Sequence, residues 1–414
     1  MVIKFRFDII FGILFAFFVF QDAIAVKIPF FSYFDEVETI TVLGMIILYW
    51  SRHKKVLLDA WMRKIILLIA LLCTVGIIGN LIFRRQDFIY ILVDIITFLK
   101  FFINILGAKL LFFRKRERTV EDTVWIASSF FTIVLFVLAL HDTFFSPFFP
   151  YLADRYGMRS LQLFFSNQTY LAATGMLLLI FHYCFGKEKK GNTIFVLCDS
   201  LIIISTFRTK ALGFVAIALF IIFFISKMKG ITKKNIVFVG AFLAVIAGFV
   251  GREYLDYYFF SGNEKSLRLI IMRGGMQLAS IVPPFGSGFG TYCSLGSKLN
   301  YSSAYEIAGI ESFYTMDGVY DMFWGTVLGQ FGYAGIIIYG LLVVYICLYI
   351  VSWKPYNSRC FWSGILVIAY MVISSMGEAS FNASYSCVAG LFLGYLALKV
   401  NTMKMSSDKE KFKK

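Results

Sequence analysis

Apolar runs of about membrane-spanning length recur along this 414-residue sequence, and they constrain its fold more than any other feature. A helix needs about 20 mostly apolar residues to cross the hydrocarbon core of a bilayer. The runs predict an all-α polytopic membrane protein with about 12 transmembrane helices, in a single integral membrane domain over residues 1–414. The predicted spans are 8–26, 36–50, 64–83, 88–107, 123–140, 161–185, 192–206, 211–226, 235–250, 332–352, 360–376 and 381–400.

The charge distribution fits this topology. Only 16% of the residues are charged, against roughly 25% in soluble domains, which excludes an ordinary soluble fold. With the N-terminus inside, the basic segments "SRHKKVLLDAWMRK", "KLLFFRKRER", "GKEKK" and "SKMKGITKK" all fall on the cytoplasmic face, as the positive-inside rule requires. Both termini are then cytoplasmic, with a basic tail at 401–414, and the net charge of +15 needs no nucleic-acid partner.

The N-terminus permits a second interpretation. Its basic start, apolar run and small residues Ala23-Ile24-Ala25 also resemble a cleaved signal peptide. Cleavage would remove the first span without inverting the spans that follow it.

The topology places one large extracytoplasmic loop, residues 251–331, before the tenth span, and predicts that it carries the active site. After two prolines this loop contains Gly286, Gly288 and Gly290. Glycines at this spacing allow a tight turn whose backbone can closely approach a ligand or another helix. The run is no nucleotide fingerprint, because no strand and helix of a soluble α/β unit flank it.

Twelve lysines and arginines on the predicted outer side depart from the orientation rule, and four of them stand out by their position. Arg208 and Lys210 lie at a turn between two short apolar runs, and Arg268 and Arg273 lie on an apolar segment. The planar arginine fork matches a phosphate with paired, charge-assisted hydrogen bonds. Converging arginines therefore indicate a pyrophosphate site. The alternative is that they anchor in lipid headgroups or pair with nearby carboxylates.

The histidines and cysteines give no sign of a metal site. The three histidines (53, 141 and 182) are far apart in the sequence, and most of the seven cysteines fall within apolar runs. This pattern does not match the ligand spacing of a zinc site, so we expect neither a bound metal nor another cofactor.

Two elements of the sequence resemble the superfamily of O-antigen polymerases and O-antigen ligases. Arg268 stands 15 residues before Pro283 and 18 before Gly286, a spacing similar to the family's Arg, Pro and Gly-x-Gly-x-Gly pattern. The segment "DMFWGTVLGQFGYAG", residues 321 to 335, resembles a second family element, with Gln330 in place of its acid.

A third, weaker element is Arg208 after the hydroxyl residues Ser205 and Thr206. The resemblance covers roughly residues 195–400. Ligases of the superfamily carry a histidine where this chain has Asp321, so the resemblance favours a polymerase.

The resemblance implies a glycosyltransferase in the bacterial cytoplasmic membrane that joins undecaprenyl-pyrophosphate-linked oligosaccharide repeats at the outer face. The product would be O-antigen, capsule or exopolysaccharide, and a chain-length regulator and a flippase would be partners. In this reaction the four cations would stabilise the departing pyrophosphate and take the place of a metal.

A carboxylate would serve as general base for the acceptor hydroxyl. The outer-face candidates are Asp321, Asp317, Glu311 and Glu378, and their spacing does not choose among them. Asp317 and Asp321 have an alternative role as caps for the span that follows.

Two other functions stay open at this point. A ligase would deliver finished glycan to another acceptor, and the missing histidine argues against it. A flippase for lipid-linked oligosaccharides would expose charges along a path through the spans, whereas the predicted spans contain few, namely Asp94, Lys100 and Asp199.

Overall fold

The computed structural model describes residues 7–52, 59–112, 117–145, 147–149, 154–155, 157–186, 189–225 and 266–411. Within these ranges the chain is helical apart from short turns and one hairpin, β1 (Asp154–Arg155) with β2 (Met158–Arg159). The α-helices are α1 (Phe7–Ala25), α2 (Phe34–Arg52), α3 (Ala60–Phe83), α4 (Phe88–Phe112), α5 (Glu117–Phe144), α6 (Gln168–Phe185), α7 (Asn192–Ile204), α8 (Thr209–Phe223), α9 (Leu267–Ile281), α10 (Leu295–Leu299), α11 (Ala304–Ile307), α12 (Phe323–Val351), α13 (Ser358–Ser375) and α14 (Tyr385–Lys411). Short 3-10 helices cover Pro29–Tyr33, Glu311–Phe313, Asp317–Asp321 and Ser380–Asn382.

Apolar helices make this a membrane-embedded protein. Seven segments of the described chain have the length and composition to cross a bilayer: Ala60–Phe83, Phe88–Ala108, Val120–Phe144, Gln168–Phe185, Phe323–Val351, Ser358–Ser375 and Tyr385–Ser406. The apolar helices α7 and α8, of 13 and 15 residues, are shorter than such a span. The run predicted at 235–250 lies outside the described residues, so a total of twelve spans stays a prediction.

Helices α4 and α14 pack closely along a seam of small residues. A side chain at Gly390 would collide with the backbone oxygen of Phe101, and one at Gly394 with that of Ile105. Glycines four residues apart allow the backbones of membrane helices to approach in this way. The seam places Lys100 of α4 near the first turn of α14.

Helix α12 starts at Phe323, nine residues before the span predicted at 332–352, and is broken at Gly332 (φ 60°, ψ −159°). The break leaves carbonyl groups of the first segment without their helical donors. The carbonyls of Gly329 and Gln330 accept hydrogen bonds from the backbone of Ser287 (2.9 Å) and Gly288 (2.7 Å). We call residues 284–290 the clasp, because they hold the broken helix.

The clasp is also tied to α3 and α4. Asn80 of α3 bonds both the N–H (2.8 Å) and the carbonyl (2.9 Å) of Phe289. Asp94 of α4, fully buried, accepts from the N–H groups of Gly290 (2.7 Å) and Gly296 (3.2 Å). These bonds offset the cost of burying a carboxylate. The described part of the predicted 251–331 loop, residues 266–331, is therefore packed into the helix bundle.

From the geometry of the clasp we predict that position 288 tolerates no side chain. Its φ of +92° disfavours other residues, and a Cβ there would collide with the backbone nitrogen of Asn80. Gly288→Ala should therefore lower the free energy of unfolding by about 1–3 kcal/mol. The matched control is Gly44→Ala on α2, where no atom lies within 4 Å of the added Cβ. There the higher helix propensity of alanine should raise the free energy of unfolding by about 0.5–1 kcal/mol. Thermal unfolding in detergent tests both variants. Equal changes in the free energy of unfolding would contradict the role of the clasp.

Candidate functional site

A cavity of about 550 Å³ lies where several helix ends meet. The ends of α1, α2, α6 and α9, the middle of α4 and the start of α12 contribute to its wall. The connections before α8 and between α13 and α14 complete it. Both halves of the chain therefore build this site.

Two of the predicted arginines line the cavity, Arg208 and Arg268. Arg208 immediately precedes α8, and its guanidinium donates to Asn167 Oδ1 at 2.7 Å. The same oxygen caps α6 by accepting from the backbone N–H of Thr169. Arg268 lies in the first turn of α9. Segments far apart in the sequence thus bring two guanidinium groups to one cavity.

Lys210 and Glu378 form a buried ion pair behind this wall. Lys210 Nζ lies 2.7 Å from Glu378 Oε2, and both side chains are about nine-tenths buried. Tyr385 donates to the other carboxylate oxygen at 3.2 Å. Glu378 lies in the short connection between α13 and α14 and lines the cavity. Because Glu378 is paired in this way, we assign it the role of stabilising this wall.

Asp321 is the carboxylate most available to a ligand. It closes the 3-10 helix before α12, lines the cavity and is exposed towards it. Within the described residues its carboxylate has no hydrogen bond or ion pair. Burial among protein atoms raises the pKa of Asp321 above its ordinary value, and the charge of Glu378 raises it further. The nearby cations, Arg268 foremost, act in the opposite direction.

The other predicted residues do not line the cavity. Arg273 is exposed on α9, and Glu311 is exposed on its 3-10 helix. The backbone of Asp317 begins the 3-10 helix before α12, but its side chain lies outside what the structure describes. The clasp glycines Gly286, Gly288 and Gly290 face helices α12, α3 and α4. Of the two roles open to them, close approach to a helix is the one observed.

The N-terminal half contributes residues that the sequence interpretation missed. Lys100 of α4 lines the cavity and pairs with Asp35 and with Glu36 Oε1, the latter at 2.8 Å. Gln21 of α1 donates to Asp35 Oδ1 at 2.7 Å. A lysine within an apolar run was the available signal, because such residues mark functional sites in membrane proteins. The family resemblance begins near residue 195 and therefore does not include Lys100.

Within the described residues, no group of three or more His, Cys, Asp or Glu side chains is arranged to hold a metal ion. The chain matches no protein-family model and no curated protein.

The arrangement of these side chains is suited to two chemical tasks. Two guanidinium groups on one wall can bind a ligand with several phosphate oxygens through charge-assisted hydrogen bonds. Asp321, available and with a raised pKa, can accept a proton from a hydroxyl group placed beside it.

The geometry predicts which arginine of α9 binds phosphate. Five helical residues rotate Arg273 about 140° away from Arg268, and only Arg268 of the two lines the cavity. We expect Arg268→Gln to weaken the binding of inorganic pyrophosphate to the detergent-purified protein about tenfold, which corresponds to about 1.4 kcal/mol. Arg273→Gln serves as the matched control and should bind as the unmodified protein does. Titration calorimetry checks this; equal losses in the two variants would rule out selective binding at the cavity.

Proposed function

We propose that this protein is a polysaccharide polymerase that joins oligosaccharide repeats carried on undecaprenyl pyrophosphate. The observation that carries the proposal is the cavity in which Arg208 and Arg268 share a wall with the available carboxylate of Asp321. A lipid-linked glycosyl transfer needs these two capacities together, one for the leaving pyrophosphate and one for the attacking hydroxyl.

The reaction follows from that division of roles. The bond between the sugar C1 and the pyrophosphate oxygen breaks, and the electron pair leaves with the lipid pyrophosphate. The acceptor hydroxyl oxygen forms the new bond to C1, and its proton passes to Asp321. Arg208 and Arg268 bind the leaving group as its charge grows, which stabilises the transition state more than the ground state. Lys210 and Glu378 hold the wall in place.

The distribution of charge favours this proposal over a flippase. Of the three charged residues noted within predicted spans, Asp94 is committed to the clasp. Asp199 bonds His182 (2.6 Å) and Thr132 (2.6 Å) in a buried cluster outside the cavity. Lys100 alone of the three lines the cavity. These three therefore do not form a charged path through the bilayer, which a flippase for an anionic lipid would need.

A ligase would use a similar cavity but a different acceptor. The resemblance assigns a histidine to the ligases at the position of Asp321. His141 and His182 do not line the cavity, and His53 lies outside the described residues. Asp321 provides the carboxylate base that the polymerase reaction requires.

The direct test is polymerisation in a defined system. Purified protein is given lipid-linked repeat units extracted from the cell that makes it, with and without chelator, and the products are separated on a gel. We expect a ladder that persists in chelator and disappears in Arg268→Gln. Transfer of one preformed glycan to another lipid, without a ladder, would instead indicate a ligase. Movement of the repeat across vesicles without transfer would indicate a flippase.

The role of Asp321 predicts a pH dependence. A general base works in its deprotonated form, so turnover should rise with pH as Asp321 loses its proton. Because burial raises its pKa, the rise should lie above the range of an ordinary aspartate. The charge of Arg268 lowers the pKa of Asp321. Removing this charge in Arg268→Gln should therefore shift the pH dependence of the residual activity to still higher pH.

Asp321→Asn should lower turnover about 10²- to 10⁴-fold and abolish this rise with pH. The matched control is Asp122→Asn, which breaks an exposed ion pair with Lys189 (2.9 Å) at the start of α5, outside the cavity. Single-turnover rates across the pH range test both variants. An unchanged pH profile in Asp321→Asn would assign the base to another residue.

A further inference from the structure

We propose that the N-terminal side of the cavity is the subsite for the acceptor sugar. Among the residues that line this side, four are joined by ion pairs and a hydrogen bond, and we call them the acidic pole: Gln21, Asp35, Glu36 and Lys100. The inference rests on the proposed polymerase function and extends it, since it names the part of the cavity that recognises the carbohydrate.

The acidic pole is a built structure. Lys100, only 1% exposed, pairs with both carboxylates. Gln21 also donates to Asp35 Oδ1. The carboxylates are therefore fixed in position before any ligand arrives, which reduces the entropy lost on binding.

Its charge does not attract the phosphate end of the substrate. Because one ammonium group lies between two carboxylates, the pole carries no net positive charge. The side with Arg208 and Arg268 is the favourable place for pyrophosphate. The ammonium group of Lys100 already occupies the position that a bound cation would take between the carboxylates. A neutral ligand that donates hydrogen bonds fits what remains.

Two acceptor atoms of the pole lack donors. Gln21 Oε1 and Glu36 Oε2 are buried and have no hydrogen-bond partner within the described structure. Gln21 as a whole is only 3% exposed and lines the cavity. Unsatisfied buried acceptors are costly, and hydroxyl groups are donors that can satisfy them. A sugar presents several hydroxyl groups on one rigid ring, so it matches a pole that offers acceptors.

Tyr170 connects the two sides of the cavity. It lines the cavity together with Asp35 and Lys100 of the acidic pole and with Glu378. Its ring contacts that of Tyr385, the donor to Glu378, at 6.2 Å between centroids. A sugar in the acidic pole thus lies in the same cavity as the bound pyrophosphate, as transfer between two lipid-linked repeats requires.

The test separates sugar binding from pyrophosphate binding. Two probes are titrated separately into the full-length protein in lipid nanodiscs. They are undecaprenyl pyrophosphate and the free oligosaccharide that mild acid releases from the cell's lipid-linked repeats. Glu36→Gln keeps an oxygen for Lys100 and turns the other acceptor into a donor. We expect it to weaken oligosaccharide binding about tenfold and to leave undecaprenyl pyrophosphate binding unchanged.

Two further variants secure the interpretation. Glu311→Gln makes the same chemical change on an exposed carboxylate outside the cavity and should alter neither affinity. Gln21→Met removes the other unpartnered acceptor at similar volume, and should also weaken the oligosaccharide selectively. It decides the question if Glu36→Gln does not fold.

Each remaining outcome counts against a stated claim. Undiminished oligosaccharide binding in both variants, or equal loss for both probes, would overturn the acidic pole as a sugar subsite. Unmodified protein that binds undecaprenyl pyrophosphate but no oligosaccharide would also overturn the subsite and leave the polymerase proposal standing. Unmodified protein that binds neither probe would overturn the polymerase proposal itself.

Discussion

Ionised side chains buried in an apolar helix bundle must be paired or face a polar space, and the cavity depends on this constraint. Taking a charge out of water costs several kcal/mol unless partners compensate. Lys210 has Glu378, and Lys100 has Asp35 and Glu36. These pairs surround a polar cavity onto which Arg208 and Asp321 open. The paired charges stabilise the wall, so that the others remain available for a ligand.

Rigid support for these residues comes from the clasp. The break in α12 at Gly332 frees carbonyl groups that residues 284–290 satisfy, while Asn80 and Asp94 tie the same residues to α3 and α4. The clasp follows α9, which carries Arg268, and it holds α12, which follows Asp321. These hydrogen bonds to the backbone of the clasp thereby fix the arginine, the carboxylate and the helix of Lys100 relative to one another.

The apolar runs were sufficient to predict most of the helices, because a bilayer imposes both the length and the composition of a helix that crosses it. They failed at the start of α12. The turns from Phe323 to Phe331 contain two polar residues and two glycines, which interrupt the apolar run. The apolar runs also predicted the two short helices α7 and α8. They did not show whether these helices cross the bilayer.

The candidate site was only partly predictable, for a related reason. Arg208, Arg268 and Asp321 stand out because they are charged residues beside apolar runs, and the structure brings them together. Which carboxylate is available depends on partners: Glu378 is paired with Lys210, a contact between segments that no local pattern encodes. The acidic pole escaped prediction because Asp35 and Glu36 come from α2 and Lys100 comes from α4. Their common function depends on tertiary packing.

The most direct test of this account is a cryo-electron microscopy structure of the protein in nanodiscs with undecaprenyl pyrophosphate bound. The account predicts density for the two phosphates within hydrogen-bonding distance of Arg208 and Arg268, inside the cavity and away from Asp35 and Glu36. Phosphate density at the exposed Arg273, or at the acidic pole, would contradict it.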